Sequence, residues 1–195
     1  MTAMKGSSRI FTPAFFANAF VNLMLYVNYY VLMVVMAGYC LAAYGTDVGT
    51  AGFAASVFIV GALAARFVGG GAVDRFGDFG IMTAGFTAFA LGMLCMGLAH
   101  IGTVLLAAAC LLGFAVGTLN PCGLTLAVQR APEERLTTAN STFSCLNDAT
   151  IGLAPVAVGW LIPLVGYNGM YLALVAVVVA AFALYLAFRS KGMLR

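Results

Sequence analysis

The hydrophobic and polar positions alternate in long blocks. Apolar runs of roughly the length that crosses a bilayer as helix, about 20 residues, are separated by short polar interruptions. The pattern predicts six helices. The first starts at Thr12-Pro13, with Thr12 as cap and Pro13 in the first turn, and runs to about Gly38 or beyond. A turn over Tyr44 to Thr50 leads to helix 2, from about Thr50 to Phe67. The glycine-rich stretch Gly70 to Asp78 then reads as a loop before helix 3, from about Gly80 to Ala99. His100-Ile101-Gly102 is the next turn, followed by helix 4 from about Thr103 to Gln129, which Pro121 is expected to kink. The charged loop from Arg130 to Arg135 precedes helix 5, from about Thr137 to Leu164. Gly166-Tyr167-Asn168-Gly169 turns into helix 6, from about Met170 to Phe188.

Polar residues inside these spans carry the functional signal, because an unpaired polar group in hydrocarbon is costly. On helix 1, Asn18 and Asn22 are four apart, and Tyr26 and Tyr29 continue the same face. Two readings fit that stripe, hydrogen bonding between helices and contact with a substrate. The first half of helix 5 is polar as well, with Asn140, Ser141, Thr142, Ser144, Asn147, Asp148 and Thr150. Asp148 lies about a dozen residues into the helix, roughly 18 Å at about 1.5 Å per residue, which places it near the middle of the bilayer. A carboxylate poised there between protonation states can couple proton movement to a conformational change, or can be a protonated structural partner of a neighbouring helix. Asn147, Asn140 and Ser144 lie on or near its face, where they can form a polar surface with Asn18, Asn22 and Tyr26. Small residues at Gly52, Ala55, Gly61 and Ala65 of helix 2, and at Gly113 and Gly117 of helix 4, offer faces for close helix packing.

Composition sharpens this to an integral membrane protein. Of 195 residues, 64% are hydrophobic and 8% charged, against roughly a quarter charged in soluble domains, and the mean hydropathy is +1.06. The fold class is all-α and polytopic, and the expected unit is one bundle over residues 1–195, with tails at 1–10 and 189–195. The net charge of +3 is no nucleic-acid footprint, because the basic residues are scattered between spans. With six helices, Lys5, Arg9, Arg66, Arg75, Arg130, Arg135, Arg189, Lys191 and Arg195 all fall on one side, and the positive-inside rule makes both termini cytoplasmic in a multi-pass cell-membrane protein. Arg66, near the end of helix 2, is expected to snorkel to the interface. The first apolar run is too long for a cleaved signal core of about 7 to 15 residues. The five cysteines lack zinc-like spacing and read as small packing residues. Gly69-Gly70-Gly71 lacks the ending of a phosphate loop, and no hydrolytic motif is present, so neither cofactor, metal nor enzyme activity is expected.

The pattern Gly70, Asp74, Arg75, Gly77 resembles the loop between the second and third helices of major facilitator superfamily transporters. That family usually continues with two basic residues where this chain has Asp78 and Phe79. The row from Thr138 to Asp148, with Gly152, Pro155, Gly159 and Gly166-Tyr167, is similar to the fifth helix in the drug and proton antiporter branch, although Ala154-Pro155 and Val158-Gly159 stand where that branch has Gly-Pro and Gly-Gly. The resemblance implies a six-helix bundle equivalent to half a transporter, with two three-helix repeats in inverted relation. It also implies efflux of a small solute or drug-like compound against protons, with Asp148 as coupling site, Gly70, Asp74, Arg75 and Gly77 as a gate motif, and a second bundle from a homodimer or another half. The rival reading is a non-transporting truncated copy, or a regulatory subunit of a full-size transporter.

Overall fold

Long apolar runs form helices in a membrane because only internal hydrogen bonding satisfies the backbone there. The computed structural model describes residues 13–45, 47–98, 102–128 and 136–192, omitting side chains at 13–14, 43–44, 68–74 and 126–128. Among the described residues all regular structure is helical, in four continuous elements: α1 (Pro13–Tyr44), α2 (Val48–Leu98), α3 (Gly102–Val128) and α4 (Leu136–Ser190). Among the described residues five stretches are long and apolar enough to span a bilayer: Phe15–Ala42, Val48–Phe67, Arg75–Leu98, Gly102–Thr125 and the whole of α4.

The sequence pattern places a loop at residues 70–78 and a four-residue turn at 166–169, and the structure corrects both. Helix continues through Gly70 and Asp74 to Phe76, and the only non-helical residue in α2 is Gly77, at φ 68° and ψ 167°. In α4 it is Gly166, at φ 70° and ψ 178°. That region of φ/ψ is essentially reserved for glycine, so one residue without a Cβ does the work expected of a loop. The two breaks share a local sequence, Gly77-Asp78-Phe79-Gly80 and Gly166-Tyr167-Asn168-Gly169. In each, a Cβ on the second glycine would crowd the side chain just before the break, Phe76 at 3.2 Å and Val165 at 2.9 Å. The chain is thus a helix followed by a broken helix, twice over.

Helix ends differ from expectation in smaller ways. α1 runs on to Tyr44, and α2 starts at Val48 because Asp47 caps it, accepting from the Gly49 amide (2.9 Å), the Thr50 amide (3.3 Å) and the Thr50 hydroxyl (2.5 Å). α3 passes through Pro121 without interruption. The Thr12 cap, His100 and the 130–135 loop lie outside the described residues.

Packing follows the small residues. A methyl at Gly113 would overlap the Phe58 carbonyl, one at Gly117 the Ala62 carbonyl and one at Gly61 the Cys110 carbonyl, so α2 and α3 touch backbone to backbone there, whereas Gly52 of the predicted face meets nothing within 4 Å. One core cluster draws on all four helices, with Tyr39, Tyr171, Tyr185, Phe86 and Phe89 fully buried. Contacts define two ends. At one, the Arg189 guanidinium lies 4.6 Å from the Phe79 ring centroid, which brings the end of α4 to the Gly77 break. At the other, Tyr39 meets Tyr167 at a tilt and Tyr171 edge-on and donates to the Met96 carbonyl (2.8 Å), which joins α1, the end of the α2 span and the Gly166 break. Cys40 and Cys122 are buried as packing residues, whereas Cys95, Cys110 and Cys145 lie exposed on the bundle's outer surface, where an apolar thiol is at home in lipid.

Candidate functional site

The predicted polar residues divide into three groups. Asn18 and Asn22 turn toward α3. Both are about 1% exposed. Asn18 donates to the Gly123 carbonyl at 3.0 Å, and Asn22 donates to the Asn18 carbonyl (2.9 Å) and side-chain oxygen (3.0 Å). Gly123 has no Cβ because the Asn22 amide fills that space. Asn18 therefore ties α1 to α3, while Asn22 bonds back within α1 and leaves its own side-chain oxygen buried without a partner.

The second group lines a narrow crevice between α1 and α4. It leaves no room for a water-sized molecule between Asn22, Tyr26, Phe143 and Asn147, with Ala19, Leu23 and Leu146. Tyr26 meets Phe143 edge-on at 6.2 Å and stacks on Tyr30 at 6.2 Å, while Tyr29 lies 4.8 Å from Tyr30 and stacks on Phe58 of α2 at 6.0 Å. Asn147 lies near Tyr30, and its side-chain carbonyl oxygen is buried without a hydrogen-bond partner. Tyr30 also lies within electrostatic range of Asp148, and Tyr26 within range of Arg66.

The third group is exposed. Asn140, Ser144 and Asp148 point away from the packed face of α4, which carries Ala139, Phe143, Thr150, Ala154 and Val158. Ser141, Ser144, Asp148, Gly152, Pro155 and Gly159 recur every three or four residues and form one uncovered stripe of polar and small side chains. Around Gly152 and Gly159 an added Cβ would meet nothing within 4 Å. The predicted polar surface thus splits, with Asn147 beside Tyr26 and Asn22, and Asp148 facing outward.

In the loop motif, Gly77 supplies the break. Arg75 is exposed, 5.6 Å from the ring of its neighbour Phe76. Gly70 and Asp74 are helical in backbone, and their side-chain positions lie outside the description. Arg189 is held over Phe79 and donates to the Tyr185 hydroxyl at 3.4 Å, so a cation stands in space next to a position where the resembled loop carries one in sequence. Sequence reasoning overlooked Tyr30, Arg66 as part of this face, and the fully buried Asn28, which donates to the Met24 carbonyl at 2.8 Å and leaves its own oxygen unpaired. For Tyr30 a signal was present, since it follows Tyr26 by four.

Comparison with known proteins gives a consistent answer for the fold. The family model described as Major Facilitator Superfamily matches residues 19–192. Among solved structures, the chain is similar to a mutant peptide transporter, POT, in complex with alafosfalin, at 17% identity and a TM-score of 0.82 over 92% of this chain and 39% of that one. It is also similar to a POT family transporter in complex with 5-aminolevulinic acid, at 18% identity and a TM-score of 0.83, covering 92% and 38%, and to one with a thioalcohol-conjugated peptide, at 18%, 0.82, 92% and 38%. The chain thus spans about two fifths of the length of these structures. No curated protein matches it. With a match over nearly its whole length to one family model, the chain belongs to the major facilitator superfamily, a family of membrane transporters and not of enzymes.

Proposed function

We propose that this chain is one bundle of a proton-coupled transporter for a small solute in the cell membrane, and that it works against a second bundle, either another copy of itself or a different half. The uncovered stripe on α4 carries the reading. Polar side chains and a carboxylate do not face lipid within a span, and small residues there mark helix interfaces. A second bundle laid on this face supplies both a partner for Gly152 and Gly159 and a closed cavity at Asp148. On this reading Gly77 and Gly166 are hairpin turns, α4 crosses the bilayer twice, and the chain crosses six times. The basic residues Arg75, Arg189 and Lys191 then share the cytoplasmic side with both termini, in accord with the positive-inside rule. Export of a drug-like compound in exchange for protons follows from the antiporter-like row of helix 5.

The test is solute-driven proton movement in proteoliposomes, read with an enclosed pH dye. Asp148→Asn is expected to abolish coupling at least tenfold while leaving assembly intact, and flux that survives the change removes Asp148 from the coupling role. A modulatory subunit would use the same α4 face to dock on a full-size transporter. It separates from the first reading by showing no flux as a purified dimer.

A further inference from the structure

A groove of about 520 Å³ runs between the start of α1 and both halves of α4, walled by Phe16, Phe20 and Leu23 on one side and by Leu146 and Phe188 on the other. Among the described residues no polar side chain lines it. Its mouth lies at the helix ends, since α1 begins at Pro13 and α4 ends at Ser190. Leu23 stands roughly 10 Å deeper than Phe16, at about 1.5 Å per residue. At the deep end, Ala19, Leu23 and Leu146 also wall the tight crevice toward Asn147, so the groove stops against packed side chains. Leu146 and Asp148 are two positions apart, roughly 160° around the helix, so this wall faces away from the polar stripe of α4.

The mouth of the groove is cationic. Lys191 continues the last turn of α4, its amide donating to the Ala187 carbonyl at 3.3 Å, before Gly192 ends the turn at φ 73°. That geometry sets Lys191 one turn beyond Phe188 on the same side of the helix. Its side chain is exposed and has no hydrogen-bond or ion-pair partner among the described residues. Arg189 is held close by, over the Phe79 ring. Around this end the described charged side chains are Arg75, Arg189 and Lys191 against Asp78. That excess of cations outweighs the roughly half-unit negative end of the helix.

We propose that the groove holds one acyl chain of an anionic phospholipid, with its phosphate on Lys191. The occupant is a lipid and not the transported solute, so the assignment stands apart from the transport reading. A groove without a hydrogen-bonding side chain has nothing to orient a polar solute and selects by apolar area. A lipid chain enters it from the side, while the headgroup stays where the helix ends meet water. Lysine suits that boundary, because its methylene stem lies along apolar surface and carries the ammonium out to the headgroup. An anionic headgroup is favoured over a zwitterionic one, which would bring its own cation beside Lys191.

The experiment is native mass spectrometry of the full chain in detergent with palmitoyl-oleoyl phosphatidylglycerol, with phosphatidylcholine of the same chains, and with oleate. Phosphatidylglycerol is expected to be retained at least fivefold better than phosphatidylcholine. Lys191→Gln should bring these two lipids within twofold of each other. Leu146→Trp, which fills the groove from a partly exposed position, should lower retention of both at least fivefold. Equal retention of the two lipids by the wild-type chain, a headgroup preference unchanged in Lys191→Gln, or full retention in a folded Leu146→Trp chain each overturns the assignment. Oleate held more strongly than phosphatidylglycerol gives the groove to a free fatty acid and overturns the phospholipid. Lys191 lies at an exposed helix end, so its variant decides the matter even where the Leu146 variant fails to fold.

Discussion

A membrane span raises the stakes of each polar residue, and Asn18 shows how. Its amide, 1% exposed, reaches the Gly123 carbonyl on α3, in a medium that offers no water to replace the bond. Replacing it with Leu is expected to lower the bundle's resistance to unfolding by about 0.5–2 kcal/mol, the range for hydrogen bonds between membrane helices. Detergent-titration unfolding checks this, and a change in solute affinity with unaltered stability would return Asn18 to the substrate. Asp47 acts outside the span. Its hydrogen bond from the Thr50 hydroxyl, then those from the backbone amides, hold its carboxyl below the usual carboxylate range. A depressed folded value means that the capping contribution is present above about pH 4 and fades as pH falls below it. Thermal unfolding between pH 6 and pH 3 should therefore show a slope that Asp47→Ala removes.

Single glycines set the architecture of the elements. Alanine at Gly77 or Gly166 must occupy a region that side chains avoid, and each change is expected to cost about 1–3 kcal/mol in thermal unfolding. Gly113→Ala should cost a similar amount through overlap with the Phe58 backbone, whereas Gly152→Ala, with open space around it, should not destabilise the isolated bundle. The faces of α2 and α3 were legible beforehand because small residues at spacing four have one common use in membranes. The loop at 70–78 was misjudged because Gly69, Gly70 and Gly71 are turn formers in water, while in lipid the backbone keeps its helical bonds wherever it can. The site was half legible. Composition marks Asn18, Asn22, Tyr26, Asn147 and Asp148 as polar in apolar surroundings, but which neighbour each one faces depends on how α1 is rotated against α3 and α4. Arg66 reads from the sequence only as a topology and snorkelling residue, because an arginine near a helix end has that ordinary explanation.

For the whole molecule, the proposed six-span reading puts the basic residues on one side of the membrane, so that two copies would insert the same way up. A symmetric pair must then have its two-fold axis along the membrane normal, with the α4 stripes turned toward each other. Native mass in nanodiscs is expected to show a dimer, and a strict monomer would require a different second half. The break at Gly166 also matters while the chain is being made. Unbroken, α4 would be a rod of 55 residues, about 80 Å at 1.5 Å per residue against a hydrocarbon core of about 30 Å. On the six-span reading, one glycine decides, as this helix leaves the ribosome, whether the growing end folds back or stays across the membrane. A Gly166→Leu chain with a reporter at its C-terminus should deliver a fraction of reporters to the opposite compartment, a defect of delivery that precedes any loss of stability.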